Sequence, residues 1–215
     1  MNFKKTDSQD SALVLINLQT DESVKIQPGA MVFHNGKVRL EGKMNGNIAK
    51  AMFKKAFTGE TFFITTATGE APNSQIGIAP DSLGDIEVIE IGARQWRLKD
   101  GAFLACDNEV DYKTTTQGIS KAVLGGTGGF VVMETIGQGQ MLINAYGSLI
   151  AIDLDGSQDY VVDNQHVVCW DTNLDYKIEM ASGMFGFKTG EGVVCRFKGA
   201  GRVYIQSRSQ PVISG

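Results

Sequence analysis

The chain has 215 residues, with charged residues at 20%, hydrophobic residues at 42% and a formal net charge of −4. That length can bury a sizeable core, and the acidic balance leaves no basic footprint for gripping nucleic acid. Glycine supplies 26 residues against 4 prolines, which points to tight turns and not to a low-complexity linker.

Met1 to Asp10 is charged and polar, and the apolar run Ala12 to Leu18 is interrupted by Asn17 and lacks a small-residue cleavage site. It reads as a strand, not a signal peptide, and no apolar stretch approaches the ~20 residues of a membrane span. Val24 and Ile26 then alternate with Lys25 and Gln27, the pattern of a half-buried strand, and Pro28-Gly29 turns the chain. His34-Asn35-Gly36-Lys37 carries the Asn-Gly signal that joins two hairpin strands, and Val38, Leu40 and Met44 continue the alternation.

Asn47 to Phe57 departs from this pattern, with Ile48, Ala51, Met52 and Ala56 near one helical face and Lys50, Lys54 and Lys55 elsewhere. One short helix is expected there, its lysines forming either a solvated face or a basic contact with a membrane or partner. Ile119 to Leu124 and Met180 to Phe185 are weaker counterparts. Ala71 to Ser74 is a loop, Gly77 to Ile91 holds a strand or two around Gly84-Asp85, and Trp96 begins another strand. Gly137 to Gly156 reads as two strands joined at Gly147-Ser148, followed by a turn at Asp155-Gly156 before Tyr160. Turn signals at intervals of roughly eight to twelve residues predict an all-β sandwich or barrel.

Two patterns recur in the same order. Val24 to Phe33, Trp96 to Ala105 and Tyr160 to Cys169 align on Gly29, Gly101 and Gln165. Thr58-Gly59, Thr127-Gly128 and Thr189-Gly190 each open an apolar strand that leads to Gly69, Gly137 and Gly199, glycines expected to begin the next strand. The period of roughly 60 to 70 residues exceeds that of ordinary solenoids. Either glycine-punctuated strands coincide by chance, or residues 1–215 form a single all-β domain of three internal repeats, at about 12–91, 92–155 and 156–209.

Several constellations invite chemistry. His34 and His166 are the two histidines, and neither has a histidine neighbour, so a cupin-like metal site lacks its ligands. Gly125 to Gly129 lacks the Gly-Lys-Ser/Thr of a phosphate-binding loop and precedes Phe130-Val131-Val132, a strand. Asp153, Asp155, Asp159 and Asp163 suggest a calcium loop, but Gln158 and Asn164 stand where glycine and glutamate are needed. Cys106, Cys169 and Cys195 form no CxxC pair and fit a reducing cytoplasm as small buried hydrophobes. No Gly-x-Ser-x-Gly occurs. No catalytic, cofactor-binding or metal-ligating residue is assigned, no cofactor is expected, and the chain is expected not to be an enzyme.

The segment Gly190 to Ser209, a glycine hairpin followed by Tyr204-x-Gln206-x-Arg208, resembles the ending of the mitochondrial-biogenesis family named for altered inheritance of mitochondria, and Gly128 through Gly147 adds to the likeness. The resemblance covers most of the chain from Val24 onward. It implies a double-stranded β-helix similar to that of the tryptophan-responsive RNA-binding attenuation protein, with repeated units around a pseudo-threefold axis, and brings no catalytic residues. Gly128-Gly129 stands where the other copies have Gly-Glu, a departure from any role for a recurrent glutamate. The family has many bacterial members, and the absence of a transit peptide here fits one of them.

Two functions are weighed: a cytoplasmic, non-enzymatic scaffold or protein-interaction protein, and a small-ligand or RNA-binding module. Self-association is expected, with Leu13 to Leu18 and Arg202 to Gln206 as the exposed strand edges. Pairing of those two strands with each other, closing a monomeric barrel, is the alternative.

Overall fold

The computed structural model describes residues 1–6, 12–43, 64–117, 130–181 and 192–209. Strands dominate: β1 (Asn2–Lys5), β2 (Val14–Leu18), β3 (Ser23–Ile26), β4 (Met31–His34), β5 (Val38–Lys43), β6 (Ile64–Gly69) and β7 (Ser74–Ile78) come first. Then follow β8 (Ile86–Ile91), β9 (Trp96–Lys99), β10 (Phe103–Asp107), β11 (Asp111–Gln117), β12 (Phe130–Ile136) and β13 (Gly139–Asn144). The last are β14 (Leu149–Asp155), β15 (Tyr160–Asp163), β16 (Val167–Asp171), β17 (Asp175–Met180), β18 (Val193–Lys198) and β19 (Ala200–Gln206). The one helical element among the described residues is a 3-10 turn, Asn164–His166, so the fold is all-β. No helix among them is long and apolar enough to cross a membrane.

The strands form four sheets, ordered β1-β2-β7-β4, β5-β6-β3-β10-β13-β8, β11-β12-β9-β16-β19-β14 and β15-β18-β17. A pairing scheme recurs through them. The antiparallel pairs β2 with β7, β4 with β7, β3 with β6 and β5 with β6 are followed by β8 with β13, β10 with β13, β9 with β12 and β11 with β12. The same scheme then joins β14 with β19, β16 with β19, β15 with β18 and β17 with β18. An irregularity of register sits at one place in each set, between Met31 and Phe33, between Phe103 and Ala105, and between Val167 and Cys169. Such bulges bend a strand and sharpen its twist.

Two further pairs cross between sets, β3 with β10 and β9 with β16. The strands in the corresponding positions of a third crossing, β15 and β4, each have a partner on one side alone among the described residues. Neither chain-end strand expected as an edge is one. β2 lies between β1 and β7, and β19 lies between β14 and β16, so the backbone groups on both of their sides are engaged. They do not pair with each other either, since they belong to different sheets.

The Asn35-Gly36 signal also acts differently from expectation. It joins β4 to β5, but these strands lie in different sheets, so the turn is a corner and not a hairpin. Gly36 has φ of 79°, a conformation glycine adopts without a Cβ clash, while the Asn35 side chain accepts from the backbone N–H of Lys37 and of Gln75 and donates to the Asn73 carbonyl. Those bonds tie the corner to β7. Gly69 ends β6 instead of beginning a strand, and Gly137 and Gly199 sit in the turns after β12 and β18 with φ of 99° and 98°. The helix expected at 47–57, its counterpart at 119–124, the glycine run 125–129 and the three Thr-Gly turns lie outside the described residues.

Apolar side chains gather in three clusters. One surrounds Ile16, Leu18, Ile26 and Ile76, a second surrounds Leu98, Cys106, Met133 and Met141, and a third surrounds Trp170, Cys195, Phe197 and Val203. Trp170 is fully buried and meets Tyr176 edge-on at 4.8 Å and Phe197 at 5.7 Å. Polar cross-strand bonds lace the outer faces. Glu134 on β12 takes a 3.0 Å bond from Arg97 on β9 and a 2.7 Å ion pair from Lys113 on β11, spanning three strands. Partial burial raises its pKa, but the bonds from Lys113 and Arg97 outweigh that and hold the carboxyl below its ordinary value.

Three outcomes follow from these contacts. Leu98→Ala, which empties a fully buried site on a strand shared between two neighbours, should lower unfolding free energy by about 2–5 kcal/mol in urea titration. Gly84→Ala should cost about 1–3 kcal/mol by the same measurement, because a Cβ there would press into the backbone carbonyls of Ala145 and Gly147, which cannot swing away. Glu134 has a depressed folded pKa, so its stabilisation is present above the unfolded value and is lost as pH falls through the folded one; Glu134→Gln should therefore show a smaller fall of the urea midpoint from pH 6 to pH 3 than the wild type, about 4 being the ordinary carboxylate pKa.

Candidate functional site

Three connections contribute to the wall of one cavity: Gln27 from that between β3 and β4, Lys99 to Ala102 from that between β9 and β10, and Gln165 from that between β15 and β16. Gly29 and Gly101 turn their segments with φ of 83° and 80°, and Asp163 closes the third by accepting the Gln165 N–H at 2.7 Å. The ends of β13 and β19 complete the wall with Asn144 and Gln206. The cavity measures about 380 Å³, within the size range of small-molecule sites, and mixes polar and apolar groups.

Its polar groups differ in how well they are satisfied. Gln206 has partners at both ends of its amide: its side chain donates to the Gln165 carbonyl and accepts from the Tyr146 N–H, and its backbone carbonyl meets His166 Nδ1 at 2.7 Å. Lys99 donates to the Asn164 carbonyl at 2.5 Å. Burial pulls its pKa below the ordinary lysine value, against the opposing pull of the Cys195 thiol, Asp163 and Asp100. Asn144 is 5% exposed, and its amide N–H groups donate to Ser82 Oγ at 2.8 Å and to the Gly101 carbonyl at 3.1 Å. A carbonyl can only accept, so this contact fixes which end of the amide is nitrogen. Asn144 Oδ1 is then left buried with no partner in the protein, and so is Gln27 Oε1. A shallow hollow elsewhere, beside Arg94, holds one buried carboxylate, Asp171, already paired with that arginine at 2.9 Å.

The residues singled out in the sequence for chemistry do not meet here as a set. His34 lies on the exposed strand β4 and accepts from the Gly36 N–H, whereas His166 borders the cavity turn. Asp153 is held by Arg202 through two bonds of 2.6 and 2.7 Å, Asp155 accepts twice from Ser157, and Asp159 pairs with Lys198 at 3.3 Å. Each carboxylate thus has its own neighbour, and no group of three metal-ligating side chains occurs among the described residues. The three cysteines are buried and unbridged, with burial pushing the thiols of Cys106 and Cys195 up to about 12. Such thiols are protonated and poor nucleophiles at neutral pH.

Sequence reasoning passed over Gln27, Lys99 and Asn144. The first two precede Pro28-Gly29 and Asp100-Gly101 at the same offset in the aligned strands, a polar column that comparison of the copies could have shown. Asn144 carries no such signal, because its importance comes from a 62-residue separation to Ser82 and a 43-residue separation to Gly101.

Comparison with known proteins matches this architecture along its length. The chain is 40% identical over 222 residues to an uncharacterised protein of Streptococcus pyogenes serotype M6, covering 100% of this chain and 89% of that one. It superposes on the crystal structure of a protein from Streptococcus pyogenes with a TM-score of 0.81 and 39% identity, over 97% of this chain and 94% of the other. The family model described as mitochondrial biogenesis AIM24 matches residues 3–208, and the chain belongs to that family.

Proposed function

We propose that this protein is a non-enzymatic scaffold or interaction protein that self-associates through an uncompleted sheet. The carrying observation is the pair of strands β4 and β15, each partnered on one side alone among the described residues. The recurrent pairings and recurrent bulges support reading the chain as three units around a pseudo-threefold axis, in the manner of a double-stranded β-helix. Grouping by partner assigns β8 to the second unit and β14 to the third, so the units divide near 79–85 and 145–148, earlier than the glycine spacing suggests.

In this reading the crossings of β3 with β10 and of β9 with β16 are two of three equivalent joins, and the join of β15 with β4 is unmade. The missing partners are complementary. Ala105 pairs with Ile26 and Cys169 with Leu98 at the joins that exist, so Phe33 and Val162 occupy the matching register at the third. Unpaired edges expose a row of backbone donors and acceptors that invites another strand. On β4 the edge is also apolar, with Met31 38% exposed, Val32 56% and Phe33 41%, and β15 adds Val161 at 45%. A second copy carries both halves of the missing join, which makes it the best-matched occupant, and one repeated interface can close a ring.

Light scattering across micromolar concentrations tests this. A discrete multiple of 23.2 kDa is expected, reduced towards the monomer by Val32→Lys and by Val161→Lys, with charges placed on edges that must desolvate to pair. A mass that stays at 23.2 kDa as concentration rises would remove the reading.

A further inference from the structure

We infer that the corner between β4 and β5 is a self-modifying site, at which the Gly36 nitrogen attacks the Asn35 side chain, expels ammonia and converts Asn35 to isoaspartate or aspartate. The inference stands apart from the sheet-edge reading, since every group involved lies within one chain. Three contacts carry it. The Gly36 N–H donates to His34 Nδ1 at 3.1 Å. A backbone N–H can only donate, so Nδ1 bears no proton in this contact and is placed to take one from the attacking nitrogen. Asn35 Oδ1 accepts from two backbone N–H groups, that of Lys37 at 3.3 Å and that of Gln75 at 3.2 Å. Asn35 Nδ2 donates to the Asn73 carbonyl at 2.8 Å, which fixes which end of the amide is nitrogen. The bond to Lys37, two residues on, folds the side chain back along its own backbone and sets Cγ beside the intervening Gly36 nitrogen. Gly36 has no Cβ to shield that nitrogen, and residues 34 to 36 are exposed, so water reaches the product.

Each group has a part in the step. His34 Nδ1 takes the Gly36 proton, and the electron pair left on nitrogen forms a bond to Asn35 Cγ. Negative charge then gathers on Oδ1, where the N–H groups of Lys37 and Gln75 already point, the arrangement that stabilises a tetrahedral intermediate. As the carbonyl re-forms, the Cγ–Nδ2 bond breaks and the nitrogen leaves as ammonia, carrying the proton back from His34. A five-membered succinimide remains. Water opens it at the main-chain carbonyl to give isoaspartate or at Cγ to give aspartate, so the balance is one water in and one ammonia out, with no oxidant or reductant. The product unties the corner: the donor to the Asn73 carbonyl is gone, and a carboxylate or a lengthened main chain stands where Asn35 held β7. Asn45-Gly46, the other Asn-Gly of the chain, follows Met44 and so has no histidine in the preceding position.

The test is the rate at Asn35 in the full chain at neutral pH, read by peptide mass mapping as ammonia lost and then as NH2 replaced by OH. The same chain unfolded in urea gives the rate set by sequence alone. Folding should speed the reaction by roughly 10-fold or more, because base and N–H donors are held in place only in the native corner. His34→Ala, at an exposed position, should keep the melting temperature and slow the folded chain by roughly 10²-fold, the lower end of what a positioned general base supplies. Added imidazole should restore part of the lost rate, which a merely structural role for His34 would not allow. An Asn35 that lasts as long in the folded chain as in urea, or longer, would overturn the assignment, and that comparison needs no variant. So would an unchanged rate in His34→Ala, no rescue by imidazole, or conversion at Asn45 with Asn35 intact.

Discussion

The constraint on which the structure depends is that a strand carries hydrogen-bonding groups on both sides and must spend them. Here the central strands do so by serving two neighbours at once. β9 is held by β12 on one side and β16 on the other, and β3 by β6 and β10. Because β10 and β16 belong to later stretches of chain than β3 and β9, each crossing binds distant segments into a common sheet. The packing follows the same lines. Leu98, on the doubly paired β9, is fully buried, and Trp170 on β16 has its ring closed in by Tyr176 and Phe197 from the neighbouring small sheet. Long-range pairing of this kind must meet the entropy of loop closure before any contact is gained, which places the fold among the slower topologies.

The corners between sheets explain why glycine and small polar residues are spaced as they are. After β4, β10 and β16 the chain leaves one sheet and enters another, at Asn35-Gly36, at Asn108-Glu109 and at Thr172-Asn173. At the third of these corners Asp171, 2% exposed, accepts the Asn173 N–H at 2.9 Å and is neutralised by Arg94. A short polar side chain that bonds its own backbone two residues on lets the chain change direction without leaving an N–H unsatisfied. The result is a closed account of backbone groups at corners that would otherwise be weak points.

Those devices also decide what was legible in the sequence. Alternation at Val24 and Ile26, the turn at Gly29 and the strand beginning at Trp96 are local, and each is found where the sequence puts it. The Asn35-Gly36 signal specified a tight reversal of backbone direction but not which strand would lie alongside β4, because turn chemistry does not encode sheet membership. Edges were misjudged for a related reason: sequence position was taken as a guide to coverage, whereas β1 folds back over β2 and β19 is enclosed by strands from two other stretches. The cavity was the least legible feature. Its groups come from six segments, and Asn144 gains its meaning from contacts with Ser82 and Gly101 that no local pattern announces.

The cavity and the edge strands β4 and β15 are not independent regions of the chain. The turn carrying Gln27 runs directly into β4, and the turn carrying Gln165 runs directly out of β15, so the segments that wall the cavity are also the roots of these two strands. At the join that does exist, the Gln27 N–H donates to the Leu104 carbonyl at 2.8 Å, carrying the ladder from one strand pair into the cavity wall. Pro28, with its fixed φ, stands in the short covalent path between Gln27 and β4 and limits the directions in which that strand can leave the cavity wall.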